Sequence, residues 1–216
     1  MKKSADEQNL GALVIQYLTL RRAVGVVGMA LPIVLAVGCW AFDAPGILSS
    51  ISAYYYSPMR DVMVGSLCAV GIFLLSYKGY DRFDNWLGNL ACLFAVGTAL
   101  FPMAPKTEPT STQIVIGYLH SAFGGGFLLS LAIFALVPFR KTGDRPTARK
   151  LVRNRVYSIC GWGIIVCLFG IAGEFMLPES SPLTRWKPVF WFEATAIWAF
   201  GWAWFTKGGG IWRDEA

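Results

Sequence analysis

Residues 113–139, QIVIGYLHSAFGGGFLLSLAIFALVPF, contain no Asp, Glu, Lys or Arg. An apolar run of this length restricts the fold more than any other feature of the chain. About 20 such residues cross the hydrocarbon core of a bilayer, and backbone in hydrocarbon must satisfy its own hydrogen bonds, which a helix does. Five further runs, at 23–42, 61–77, 86–104, 155–177 and 188–206, have the same character. The expected fold is all-α: an integral membrane bundle of six transmembrane helices. The second run is short and the fourth long, so tilt or extension past the interface is expected. Pro32 is expected to kink the first span, and residues 9–20 to form a short helix lying on the inner surface.

Only 15% of the 216 residues are charged, against about 25% in an average soluble domain. The net charge of +6 does not read as a nucleic-acid surface, because the cations sit in the short loops between apolar runs. Their distribution sets orientation. Lys2, Lys3, Arg21 and Arg22 precede the first run, and Lys78 and Arg82 follow the second. The segment RKTGDRPTARKLVRNR follows the fourth, and Lys207 and Arg213 follow the sixth. Of the 19 Lys and Arg residues, only Arg60, Lys106, Arg185 and Lys187 fall on the other side. The cationic side faces the cytoplasm, so both termini are expected inside. The organisation is a cytoplasmic segment 1–22, one membrane domain 23–206 and a cytoplasmic tail 207–216. The cluster after the fourth run fits topology better than a separate site for anionic lipid.

RRAVGVVGMALPIVLAVGC has the outline of a lipoprotein signal, but Ala36 suits that cleavage motif poorly and the segment starts late, so it reads as a retained span. The cysteines, Cys39, Cys68, Cys92, Cys160 and Cys167, all lie inside apolar runs without metal-ligand spacing. They read as small apolar packers.

The informative residues are the few ionisable ones inside the runs: Asp61, His120, Glu174 and Glu193. Such groups are costly at depth, so each is a functional candidate. With both termini inside, all four fall in the outer third of the membrane. His120, for instance, lies about 10 Å below the start of its run at 1.5 Å per residue. Three of them sit on stripes of small residues: Asp61 with Gly65 and Ala69, His120 with Gly117, Ser121 and Gly124, Glu174 with Gly163, Cys167 and Gly170. Small residues mark close helix approaches in membranes, so these faces are expected to turn inward around one outward-opening cavity. Asp61 also suits its helix N-terminus, with Ser57 as cap and Pro58 in the first turn. Glu174 sits near a helix C-terminus, where the dipole disfavours negative charge, and needs a cation, a proton or a metal. Glu193 lies too deep to cap its own helix. Arg60, Ser52 and Tyr55 in SSISAYYYSPMR complete the candidate rim, with Tyr54 and Tyr56 overhanging it and Arg185 and Lys187 opposite.

The six-span layout and the outer first loop carrying ILSSIS resemble bacterial six-helix membrane families of unknown function near the DRAM, Sfk and FRAG-like proteins. That resemblance implies a multi-pass protein of the bacterial inner membrane with a link to membrane lipid. It supplies no catalytic residues. A comparison with the ceramidase and adiponectin-receptor-like membrane hydrolases fails on histidines, since this chain has one and those sites use several around zinc. The leading expectation is a lipid-associated protein, binding or organising lipid through an outer-leaflet pocket. The alternative is a metal-dependent hydrolase with His120, Glu174, Glu193 and Asp61 as candidate zinc ligands. A small proton-linked transporter comes third, because the polar residues lie near one surface and transporter sites lie near the midplane.

Overall fold

The computed structural model describes residues 2–178 and 181–211, with side chains described from residue 17 onward. Six α-helices follow one another: α1 Lys2–Ala41, α2 Arg60–Leu75, α3 Arg82–Leu100, α4 Ser111–Leu136, α5 Ala148–Glu174 and α6 Pro188–Lys207. Short 3-10 turns at Ser52–Tyr56, Pro138–Arg140 and Pro182–Trp186 lie in the connections. Among the described residues there is no strand.

Polar caps set the boundaries that the apolar pattern misses. The Asp81 side chain accepts the Asp84 amide at 3.0 Å, which starts α3 at Arg82 instead of residue 86. Phe101 is extended (φ −95°, ψ 110°), as the residue before a proline prefers, and stops the helix at Leu100. Thr110 and Gln113 form a reciprocal capping box that opens α4. Thr147 accepts the Lys150 amide at 3.0 Å and starts α5 well before residue 155. The expected division of the N-terminal region into a surface helix and a separate span is corrected. Residues 2–41 form one helix of 40 residues that runs through Pro32.

Each helix packs on its neighbours in sequence, and α6 closes the ring against α1. The closure depends on two glycines. A Cβ on Gly25 would lie 2.7 Å from the Gly201 carbonyl oxygen, and one on Gly201 would lie 2.8 Å from the Gly25 oxygen. Only residues without side chains let these two backbones meet. Trp198 Nε1 donates to the Met29 carbonyl across the same seam at 3.0 Å.

Among the described residues three helices are long and apolar enough to cross a membrane: Tyr17–Ala41, Ser111–Arg140 and Ala148–Glu174. Their outward faces carry exposed apolar side chains such as Ile33, Val37, Ile159, Val166 and Phe169. Soluble monomers seldom leave such surface open to water. Several hydroxyls within the helices are satisfied locally: Ser130 donates to the Gly126 carbonyl and Ser121 to the Gly117 carbonyl.

The bundle has two chemically different ends. At one end Arg22 donates to the carbonyls of Gly208 and Gly209, both at 3.0 Å, and Tyr17 donates to the Lys78 carbonyl. There Lys141 also pairs with Asp81 at 2.7 Å and with the fully buried Asp84 at 2.5 Å. The other end gathers the connections α1–α2, α3–α4 and α5–α6, and holds the candidate site.

Candidate functional site

A cavity of about 650 Å³ opens between the helices at that end. Met63, Leu67, Phe127, Leu128, Leu168 and Ile197 supply apolar wall. One side is the small-residue stripe of α4, Gly117, His120, Ser121, Gly124 and Leu128, with Gly125 beside it. The inward turn expected for that stripe is what the structure has. His120 is buried, and its Nδ1 lies 2.7 Å from the carbonyl oxygen of Phe101. A carbonyl only accepts, so Nδ1 carries a proton. His120 thus joins the end of α3 to α4 while lining the cavity.

Glu193 also lines the cavity, and its carboxylate has a definite employment. It accepts the backbone amide of Ile51 at 2.5 Å, and the Ser52 amide and hydroxyl are directed at the same group. Ile51 is the residue that caps the 3-10 turn Ser52–Tyr56. Glu193 therefore caps a turn in another part of the chain, a role that its depth in α6 hides from the sequence. Two more contacts fasten the same loop to the start of α6. The Phe190 amide donates to the Ser49 carbonyl at 3.2 Å, and Lys187 Nζ donates to the Ile47 carbonyl. Lys187 itself has φ 54°, a left-handed conformation that costs a non-glycine residue energy and is held by its surroundings.

Asp61 and Arg60 do not join this group, and this corrects the expected cavity. Asp61 is exposed and lines neither this cavity nor the one beside it. Its stripe faces away from the bundle: a Cβ on Gly65 would meet nothing within 4 Å, and Ile72 is exposed. The buried face of α2 is Met63, Leu67, Val70, Gly71 and Leu74. Ser57 accepts the Met59 amide at 3.1 Å, so it shapes the turn ahead of α2 and does not cap the helix itself. Arg60 lies over the Tyr55 ring and donates to its hydroxyl at 2.8 Å. The three tyrosines are struts of the loop. Tyr54 is fully buried and donates to the Gly46 carbonyl, and Tyr56 donates to the Met103 carbonyl at 2.7 Å.

Lys106 also belongs to this region, although its only mark in the sequence is being one of four cations on its side. A second, more polar chamber of about 870 Å³ adjoins the first and shares Ser49, Lys106, Glu174 and Phe175 with it. Arg185 and Lys187 line this chamber too. Glu174, the last residue of α5, is half-buried where the two chambers join. Its surroundings are therefore cationic, as its unfavourable place at a helix C-terminus requires, though no ion pair to it forms among the described residues.

Among the described residues no three His, Cys, Asp or Glu side chains come together as a metal site. The donor set that the hydrolase alternative needs is not assembled by His120, Glu174, Glu193 and Asp61. Comparison with known proteins found no matching family model, no matching characterised protein and no matching solved structure.

Proposed function

We propose that this chain is a six-span membrane protein, both termini cytoplasmic, that holds the acyl part of a membrane lipid in its outer-leaflet cavity. One observation carries this reading. An apolar chamber between helices continues into a more polar chamber at the same end of the bundle. That order of surfaces matches an amphiphile lying with its chain toward the bilayer centre and its head group at the interface. The volume of the apolar chamber, about 650 Å³, lies in the range of about 300–1,000 Å³ usual for small-molecule sites. The anchored first loop forms the roof of the apolar chamber through Ser50, Ile51 and Ser52.

Gly125 offers a direct test. It lines the cavity, and a Cβ there would meet nothing within 4 Å. Gly125→Leu therefore adds a side chain on the chamber wall from a Cβ that meets no neighbour, and it gains about 0.8 kcal/mol of helix propensity. Native mass spectrometry of the detergent-purified protein, titrated with phospholipid, is expected to show lipid adducts on the wild type. The variant should lose most of them while melting no lower. Equal lipid occupancy in both proteins would sink the proposal. The orientation is tested separately with a thiol label at Gly143→Cys, an exposed position, which should react only from the cytoplasmic side.

A further inference from the structure

The charges around the mouth narrow the ligand further, resting on the lipid reading above. Four Lys and Arg residues lie at this end of the bundle, and three of them line one chamber: Lys106, Arg185 and Lys187. Two of the four are already employed. Arg60 is held by Tyr55, and Lys187 donates to the Ile47 carbonyl. Lys106 and Arg185 are exposed and have no hydrogen-bond acceptor or carboxylate partner among the described residues. They come from two different connections, α3–α4 and α5–α6, which converge only in the folded chain. Among the described residues the one acid lining the chamber is Glu174, set back at the junction with the apolar space.

We infer that the lipid held here carries a net-anionic phosphate head group, which Lys106 and Arg185 bind at the mouth while its chain enters the apolar chamber. Guanidinium and ammonium donors are the usual partners of a phosphate. Two such donors with no acceptor among the described residues leave room for a ligand's oxygens. Glu174 opposes the same ligand as a like charge. It therefore sets an upper limit on affinity and disfavours a head group that pushes past the mouth.

The sign of the Glu174 effect separates recognition from mere structure. The assay is native mass spectrometry with dioleoyl phosphatidylglycerol and, with identical chains, zwitterionic dioleoyl phosphatidylcholine. Wild type is expected to favour phosphatidylglycerol. Lys106→Gln and Arg185→Gln should each weaken phosphatidylglycerol binding, on the order of 3- to 10-fold, and weaken binding of phosphatidylcholine, whose choline offsets its phosphate, by less. Glu174→Gln should strengthen phosphatidylglycerol binding by a similar factor. It is isosteric and removes a charge that its helix C-terminus disfavours, so the fold tolerates it. The preference should shrink as salt is raised.

Equal affinity of wild type for the two lipids overturns the head-group inference, as does weaker phosphatidylglycerol binding in Glu174→Gln, while the lipid reading stands. Failure of both lipids to bind, or binding unaffected by Gly125→Leu, overturns the lipid reading and this inference with it. Displacement of phosphatidylglycerol by an equal concentration of sn-glycerol 3-phosphate would make the ligand a free phosphate ester and overturn its assignment to a lipid.

Discussion

Removal of the Glu193 carboxylate should detach the first loop from α6. The carboxylate accepts the Ile51 amide at 2.5 Å. A hydrogen bond to a charged group contributes about 1.5–3 kcal/mol. Glu193→Ala also removes one largely buried methylene, about 0.8 kcal/mol. Together these come to about 2–4 kcal/mol. For a chain of this size each kcal/mol lowers the melting temperature by about 2–4 °C, so the variant should melt roughly 5–15 °C lower. Glu193→Gln keeps an acceptor oxygen in place and loses only the charge, so about 1 kcal/mol and a shift of about 2–4 °C are expected. Cys39, Cys160 and Cys167 are buried free thiols, which makes a thiol-reactive dye a direct reporter of unfolding in detergent. A second readout is proteolysis within residues 43–59, which should speed up in Glu193→Ala. If Glu193→Ala melted within about 1 °C of wild type, the capping argument would be wrong. If Gln cost as much as Ala, the charge and not the acceptor would be what matters.

Three further outcomes follow from the bundle itself. Lys141→Ala strands the fully buried Asp84 carboxylate and should cost about 3–5 kcal/mol; adding Asp84→Asn should recover part of the loss, and a double variant no more stable than Lys141→Ala contradicts the pairing. The Asp81 carboxyl is held below its ordinary value of 3.8, chiefly by its hydrogen bond from Lys141. Its contribution is thus present above pH 3.8 and lost as the pH falls through the lower folded value, so melting curves taken from pH 6 to pH 2 should drop at the acid end less steeply in Asp81→Asn. Gly25→Ala places a Cβ 2.7 Å from a backbone oxygen and should destabilise by about 1–3 kcal/mol through overpacking. Gly163→Ala, where nothing lies within 4 Å, should gain about 0.8 kcal/mol from helix propensity; equal melting temperatures would deny the tight α1–α6 crossing.

Much of the cavity was legible as chemistry and little of it as geometry. His120, Glu174 and Glu193 were marked by their cost in an apolar run, and all three line the cavity. The α4 stripe was marked by its glycines. Asp61 carried the same two signals and yet faces outward, because its cost is met locally. Exposed in the first turn of α2, it complements the helix dipole and needs no partner. Lys106 and Arg185 carried no signal beyond their rarity, since each is an ordinary loop cation until the loops meet.

The sequence by itself determined that there are six helices and where each apolar run lies. It also paired the ends, because basic residues alternate between connections. These features follow from composition and from the backbone's need for internal hydrogen bonds. Only the tertiary structure decided which face of each helix turns inward. In a water-soluble bundle the contrast between apolar and polar sides would have disclosed that, but outward-facing and core-facing positions are similarly apolar here, so the period of the pattern says little. It alone decided the partner of Glu193 as well. That partner is the backbone amide of Ile51, and an amide is present at every residue except proline, so no side-chain pattern could have pointed to it.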